Sequence, residues 1–299
     1  MIRRRSLVLL AVLSPWVFAC RDTPKAKAEE QAVEAARKQE LARRLALADT
    51  NPDKPVPVAQ WIMPPPLREI SGLTLTSRGT VLTHDDNVAR VYEVDPKTGI
   101  LLKGFSLKGG ERGDFEAITT VGTDIYLLES KGKFYRFKEG ADGTEVSHSD
   151  YDTKLGKECE FESLAYEADS TRLVMACKKI RGKDAPHEVL IYRFPLPLDR
   201  STMTTLSVPI EEVAGSNGWK DFHTSDMTID PITKNYVLIS SREKGLLVMT
   251  PGGDVVRSGP LPGDHRQPEG VAITMDSLLI VSDETNVRPP AITLYRWRP

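Results

Sequence analysis

Short apolar segments alternate with polar turns along the chain from residue 70 onwards. The first group comprises residues 70–75 (ISGLTL), 80–85 (TVLTHD), 90–95 (RVYEVD) and 100–107 (ILLKGFSL). Short segments rich in β-branched and aromatic residues, separated by turns, are typical of antiparallel strands. The pattern therefore predicts an all-β domain.

A five-residue motif recurs in this region as ISGLT, FEAIT, FESLA, the looser TSDMT, and PEGVA. Its middle position falls at residues 72, 117, 163, 226 and 270, so the spacings are 45, 46, 63 and 44 residues. A period of about 40–45 residues, with about four strands in each unit, is the signature of a β-propeller. A β-sandwich does not explain a motif that recurs at this spacing.

The units predict five blades. Unit three is longer because it contains the insertions RGKDAPHE and AGSNGWKD, and a six-bladed alternative requires a repeat hidden there. Unit five is one strand short. Residues 56–63 (VPVAQWIM) have the composition of a strand that closes the ring as the outer strand of the last blade. We assign residues 56–299 to the propeller.

The first nineteen residues have the features of a lipoprotein signal peptide. Arg3, Arg4 and Arg5 precede an apolar stretch that is too short for a comfortable membrane span, and the segment ends at Ala19-Cys20. This ending resembles a bacterial lipobox, which implies cleavage before Cys20 and acylation of that residue. We expect an envelope lipoprotein, attached to the outer membrane and facing the periplasm.

Residues 20–55 form a predicted linker. Residues 25–48 are almost entirely strong helix formers, and Glu40 lies four residues before Arg44. Because the apolar residues are mainly alanine, the pattern favours a solvated spacer; the alternative is a partner-binding or coiled-coil helix. A proline-rich segment follows. Together they are expected to lift the propeller off the membrane.

The charge balance excludes a strong general attraction to nucleic acid. There are 40 basic and 42 acidic residues, and the net charge is −2.

Besides Cys20, the chain has Cys159 and Cys177, both in unit three. An envelope compartment permits a disulfide between them, but their spacing does not require one, so the pairing stays open at this point.

One column of the repeat is rich in acids. In a propeller the first strand of each blade lines the central channel, so the residues before the middle of the motif form a ring: Ser71, Glu116, Glu162, Ser225 and Glu269. Converging carboxylates repel one another unless they are protonated, paired or bound to a cation. We expect either a weak site for Ca²⁺ or a similar cation on the three glutamates, or a structural role as acceptors for the backbone of neighbouring blades.

A second column lies at the ends of the second strands. It contains acids and two cations, with further polar residues beside it: Asp85, Glu129, Lys178, Arg242 and Asp283, with His84, Asp86 and Glu284. This mixed ring predicts a binding funnel for a cation or a polar small molecule. Among the five histidines, His84 and His223 lie at the predicted edge of the channel.

No metalloprotease, zinc-ligand, nucleotide-loop or serine-hydrolase motif is present. We consider two hypotheses for the function of this protein. The first is a non-catalytic binding or scaffolding propeller whose channel mouth and top loops bind a protein or small molecule. The second is a cation-assisted phosphoester or carboxylester hydrolase, in which carboxylates hold the ion that activates water.

The motifs resemble the SdiA-regulated family of bacterial envelope propellers over about residues 66–299. The resemblance is carried by Glu69, Ser71, Gly72 and Leu73; Asp114, Phe115 and Glu116; Phe161, Glu162, Leu164 and Ala165; and Glu269, Gly270, Ser282, Asp283 and Glu284. The motifs are also similar to those of phytase-type esterase-like propellers. Unit four departs from the pattern, because residues 223–226 (HTSD) replace the acid–glycine motif. The resemblance implies a propeller fold and an envelope location.

Overall fold

The structure, a computed structural model, describes residues 24–49, 55–285 and 288–298. The predicted signal peptide and Cys20 lie outside the described residues. Helix α1 (Pro24–Asp49) comes first and is followed by strand β1 (Ala59–Ile62). Short 3₁₀ turns occur at Pro65–Leu67, Ala168–Ser170 and Arg200–Thr202.

Five antiparallel blades follow β1. Blade one contains β2 (Ile70–Leu75), β3 (Val81–Asp85), β4 (Arg90–Asp95) and β5 (Ile100–Leu107). Blade two contains β6 (Phe115–Val121), β7 (Asp124–Glu129), β8 (Lys133–Lys138) and β10 (His148–Asp152), and β9 (Glu145–Val146) pairs in parallel with β5 of blade one.

Blade three contains β11 (Cys159–Phe161), β12 (Ala165–Glu167), β13 (Arg172–Ile180), β14 (Glu188–Pro195) and β15 (Thr204–Pro209), and α2 (Ile210–Ala214) follows it. Blade four contains β16 (Asp226–Ile229), β17 (Tyr236–Ser240), β18 (Gly245–Met249) and β19 (Val255–Pro260). Blade five contains β20 (Pro268–Ile273), β21 (Leu278–Asp283) and β22 (Ala291–Arg296).

Strand β1 closes the ring. It pairs antiparallel with β22, so that Ala59 lies opposite Leu294 and Ile62 opposite Ala291, and blade five has the order β1-β22-β21-β20. Five blades and closure by an N-terminal strand are therefore confirmed. The six-bladed alternative is wrong, because the RGKDAPHE insertion forms the connection between β13 and β14 and the second insertion follows α2.

The core consists of one apolar cluster between each pair of neighbouring blades. In β17, Tyr236 and Leu238 pack towards blade three, while Val237 and Ile239 pack towards blade five. Both faces of such a strand are buried because successive side chains point to opposite sides. This arrangement explains why the second strands are continuous apolar runs.

Helix α1 is docked on the propeller, so the solvated-spacer interpretation is wrong for its C-terminal half. Leu41 and Ala48 are buried in the cluster between blades five and one, with Leu45 packed beside them. The Arg37 side chain donates to the carbonyl oxygen of Thr98 at 2.5 Å and lies over the ring of Trp61.

Among the described residues, neither helix has both the length and the apolar composition of a membrane span.

Candidate functional site at the mouth of the propeller

The two ends of the propeller differ in chemistry. The inner strand of each blade runs away from one face, the second strand returns to it, and the third strand runs away again. We call the face where inner strands begin and second strands end the mouth face. The opposite face, which carries turns such as 96–99 and 274–277, is the base face. Both predicted columns of polar residues lie at the mouth face.

A β-bulge accompanies the repeated motif. Phe115 lies opposite Glu129 and Ala117 opposite Leu128, which leaves Glu116 as an extra residue. Glu269 is extra in the same way in β20. Bulges re-aim side chains and are common beside functional sites. In blade three the inner strand is interrupted between β11 and β12, at the position of Glu162.

Three carboxylates converge at the mouth between blades one and five. One oxygen from each of Glu69, Asp86 and Glu284 lies within 4.8 Å of the other two. Burial, the hydrogen bond with Glu69 and repulsion from Glu269 raise the pKa of Glu284 to about 8. Burial and repulsion from Glu69 raise the pKa of Asp86 to about 6. The two shifts express the cost of holding like charges together.

Sequence analysis did not assign Glu69 to the site. It lies three residues before the middle of its motif, and the equivalent positions are all polar: Glu69, Asp114, Glu160, His223 and Gln267. This third column was the signal that could have revealed it. The Gln267 side chain donates to the Glu284 carboxylate, and exposed Arg68 forms an ion pair with Glu69 at 3.2 Å. Both contacts lie at the rim of the cluster.

The three predicted glutamates lie close together around a lysine. Lys178, from the second column, forms an ion pair and a hydrogen bond with buried Glu162. Burial lowers the pKa of Lys178, but attraction to Glu162, Glu116 and Glu269 outweighs it and raises that pKa overall. One internal cation therefore compensates this group in part, and Glu116, Glu162 and Glu269 do not bring three oxygens together as closely as Glu69, Asp86 and Glu284 do.

Lys178 does not compensate all of the negative charge of the three glutamates, so their pKa values are raised. Burial, then repulsion from Glu162 and Asp114, raises the pKa of Glu116 to about 9. Burial also raises the pKa of Glu162 to about 8 and that of Glu269, against the pull of Lys178. Burial and mutual repulsion therefore oppose the simultaneous ionisation of the three glutamates around Lys178.

Asp226 fills the axis of the propeller. The other four motif centres are small: Gly72, Ala117, Ser163 and Gly270. The fully buried Asp226 side chain accepts from the backbone N–H of Leu73 at 3.1 Å and of Val271 at 2.7 Å, and so joins blade four to blades one and five. Burial raises its pKa well above the ordinary value.

The serines of the first column make hydrogen bonds to the backbone of neighbouring blades. Ser225 Oγ donates to the carbonyl oxygen of Pro268 in the next blade at 2.9 Å, and Ser71 Oγ to that of Glu116 at 3.4 Å. The glutamates of the column interact with one another and with Lys178, and Glu269 also interacts with the side chains of Ser241 and Gln267. Asp226, from the unit that departs from the motif, accepts from the backbone of two other blades.

Most of the second column serves its own blade. Asp85 accepts from the N–H groups of Asn87 and Val88 at 2.9 and 3.0 Å, which stabilises the turn after β3. Glu129 contacts the Tyr135 hydroxyl at 3.4 Å, and burial raises its pKa. Only Lys178 from this column joins the central acids.

Asp283 belongs to a buried chain of polar groups in blade five. It contacts His265 Nδ1, and His265 Nε2 lies 2.9 Å from the Tyr295 hydroxyl. Asp283 also accepts from the N–H groups of Arg266 and Gln267. Sequence analysis did not place His265 at the predicted edge of the channel. Its contacts hold the connection between β19 and β20 against the blade.

The two predicted channel histidines differ. His84 is completely buried, and burial lowers its pKa to about 4, so it is a neutral interior residue rather than a residue of the mouth surface. A Cβ on Gly72 would lie 2.9 Å from its Nε2, which explains the glycine there.

His223 is a mouth residue with defined partners. Its Nδ1 lies 3.0 Å from the Glu243 carboxylate, and Arg242 Nη1 donates to its Nε2 at 3.2 Å. Because arginine can only donate, Nε2 is the acceptor and Nδ1 carries the proton. Glu243, which sequence analysis missed, therefore orients an imidazole base on blade four.

Cys159 and Cys177 form a disulfide, so the pairing that the spacing left open is present in the structure. Their Cα atoms lie 5.8 Å apart. The bond joins the start of the inner strand to the end of the second strand in blade three. Because Lys178 follows Cys177 directly, the disulfide fixes the strand end that carries the internal cation.

Comparisons with known proteins support the fold. No family model matches the chain. No curated protein matches it either. Similar solved structures include an oxidoreductase (glucose dehydrogenase) of Thermus thermophilus, at 10% identity, covering 79% of this chain and 99% of that one, with a TM-score of 0.50.

Two further solved structures are more distant. Virginiamycin B lyase of Staphylococcus aureus has 11% identity over 78% of this chain and 68% of that one, with a TM-score of 0.43. A Bacteroides caccae protein of unknown function has 12% identity over 67% and 64%, with a TM-score of 0.41, so this chain covers less than two thirds of its length. Similarity at these identities concerns the fold alone, and assignment to the SdiA-regulated family stays a prediction. The chain is a five-bladed β-propeller.

Proposed function

We propose that this protein is a non-catalytic binding propeller of the cell envelope whose mouth holds Ca²⁺ or a similar hard cation. The observation that carries the proposal is the convergence of Glu69, Asp86 and Glu284 within 4.8 Å. Oxygens that bind one calcium ion at 2.3–2.6 Å lie at most about 4.6–5.2 Å apart. The cluster therefore fits a single ion.

The electrostatics of the mouth favour a cation. In addition to burial, neighbouring carboxylates raise the pKa of both Asp86 and Glu284, by repulsion and, for Glu284, also through a hydrogen bond with Glu69. A divalent cation would replace these protons and remove the repulsion. A bound ion would also offer coordination positions to a protein or small-molecule ligand, which is how the site would serve binding.

Thermal melts with millimolar Ca²⁺ and with chelator test the site. A cation that binds only the folded state stabilises it by about 2.7 kcal/mol at a hundredfold excess over its dissociation constant. We expect a higher melting temperature with Ca²⁺ in the wild type and no shift in Glu69→Gln/Glu284→Gln. Glu212→Gln on α2 is the matched control and should keep the shift.

The same melts compare the new site with the glutamates predicted from sequence. Glu116→Gln/Glu162→Gln removes two carboxylates of that group and leaves Glu69, Asp86 and Glu284 intact. We expect this variant to keep the calcium shift. If it alone loses the shift, the ion binds around Lys178 and the assignment to blades one and five is wrong.

A second candidate is a cation-assisted ester hydrolase, because Glu243 orients His223 with its basic nitrogen towards Arg242. A positioned imidazole is the commonest general base. Chromogenic phosphoesters and carboxylesters, assayed with Ca²⁺ and with chelator, separate the two functions. Turnover that requires both the cation and His223 would replace the binding role with catalysis; no turnover supports binding alone.

We also propose attachment to the membrane through acylated Cys20, with the propeller in the periplasm on the outer membrane. The support is the order of Arg3–Arg5, the apolar stretch and Ala19-Cys20 in the sequence. Cys20→Ser should move the protein from the detergent phase to the aqueous phase. Wild-type and variant protein in the same phase would remove the anchor from the account.

A further inference from the structure

Helix α1 lies along the base face of the propeller. Arg37 contacts Thr98 in the base-face turn between β4 and β5. Twelve residues later, Asp49 forms an ion pair with Arg296 at the base-face end of β22, at 2.9 Å. These contacts are about 18 Å apart along the helix at 1.5 Å per residue. A helix fixed to this face at both points runs across blades one and five.

Further contacts between these two points dock the helix on the propeller. Leu41 is 5% exposed and Ala48 is 7% exposed, and both belong to the core between blades five and one. The Arg298 side chain donates to the carbonyl oxygen of Ala48 at 3.2 Å. The contacts with the propeller therefore fix the orientation of α1.

The base face also carries exposed apolar turn tips. Met275, in the turn between β20 and β21, is 73% exposed, and Ile232, in the turn between β16 and β17, is 53% exposed. Beside Met275, the charge of Asp276 is paired with Lys97 at 2.9 Å. Exposed apolar side chains on one face can lie against the surface of a lipid layer.

We propose that the base face rests on the membrane surface, with Met275 and Ile232 against the lipid and the acidic mouth pointing away from it. The inference rests on the proposed acylation of Cys20, because α1 begins at Pro24, only four residues later. A docked helix that starts beside the anchor keeps the base face near the membrane. The mouth is then presented to ligands of the periplasm.

The orientation can be measured with single fluorescent labels on the full lipidated chain. Cys20 is acylated in the proposal and Cys159 and Cys177 are paired, so an introduced cysteine is the thiol that reacts. Met275→Cys reports on the base face, and Lys220→Cys, in the exposed connection between α2 and β16, reports on the mouth face. The protein is placed on phosphatidylethanolamine–phosphatidylglycerol vesicles that contain brominated lipid.

We expect the label at position 275 to lose most of its fluorescence and the label at 220 to keep it. Adding Leu41→Asp should undock α1 and abolish this difference, while the vesicles still carry the protein on flotation. Equal quenching at both positions overturns the orientation and leaves the anchor intact. Failure of the wild type to float overturns the anchor together with the orientation.

Discussion

Asp226 joins three blades near the axis of the propeller. Four small motif centres leave space at the axis, and the Asp226 side chain fills it and accepts two backbone N–H groups from different blades. In the sequence this residue marked a unit that departs from the acid–glycine motif. The departure places a carboxylate where it accepts hydrogen bonds from the backbone of two other blades.

Replacing Asp226 tests this role. Asp226→Ala leaves the N–H groups of Leu73 and Val271 buried without an acceptor, which should cost about 2–5 kcal/mol of unfolding free energy. Burial raises the pKa of Asp226 well above its ordinary value, which favours the neutral carboxyl group, and Asp226→Asn keeps an oxygen acceptor at the same place. Chemical denaturation should therefore show a large loss for alanine and a small one for asparagine. Equal losses would contradict the acceptor role.

The acids of the mouth predict a dependence of stability on pH. The pKa values of Glu116, Glu284 and Asp86 are raised in the folded state to about 9, 8 and 6. Ordinary values in an unfolded chain are about 4. The folded state therefore binds more protons, and this contribution to stability is fully present below about pH 4 and is lost as pH rises towards 9.

Melting temperatures in chelator should accordingly fall between pH 5 and pH 9. Added Ca²⁺ should reverse the fall, with a larger shift at pH 8.5 than at pH 5.5, because protons compete with the ion. In Glu116→Gln/Glu284→Gln the pH profile should be flatter. A wild-type melting temperature that rises steadily over this range would show that the mouth acids are ionised without cost.

At the scale of elements, the repeat predicted the blades because each unit must bury both faces of its strands. Residues 56–63 were predicted to close the ring, and β1 (Ala59–Ile62) does so. The docking of α1 was missed although Leu41, Leu45 and Ala48 lie at i, i+4 and i+7, the spacing of one helix face. So few apolar residues in an alanine-rich segment gave too weak a signal to indicate a partner surface.

The closure can be tested by truncation. A chain starting at Arg68 lacks β1 and the buried side chains of Val58, Met63 and Leu67. Each such side chain contributes about 1.5–3 kcal/mol on burial. The exposed edge of β22 should also promote aggregation. Compared with a chain starting at Asn51, it should melt at a clearly lower temperature; equal melting temperatures would mean that β1 contributes little.

The sequence motif predicted only part of the candidate site. The column of Glu116, Glu162 and Glu269 follows directly from the motif, and the structure brings these residues together. The closer cluster combines two repeat positions, since Glu69 lies before β2, whereas Asp86 and Glu284 each follow the last residue of a second strand, β3 or β21. Such a combination depends on how loops fold over the mouth, which a repeat period does not specify.

As a whole molecule, the propeller has two chemically different ends. The mouth face concentrates carboxylates around Lys178, while the base face carries α1 and exposed apolar turns. The proposals for cation binding and for membrane orientation assign one function to each end. The two can fail independently, since the two sets of residues lie on opposite faces of the propeller.

The central claim is that the mouth binds one divalent cation on Glu69, Asp86 and Glu284. Equilibrium dialysis with radioactive calcium measures it most directly. The account predicts one saturable ion for each wild-type chain, none for Glu69→Gln/Glu284→Gln, and one for Glu116→Gln/Glu162→Gln. No saturable binding to the folded wild type, or unchanged binding to Glu69→Gln/Glu284→Gln, would contradict it.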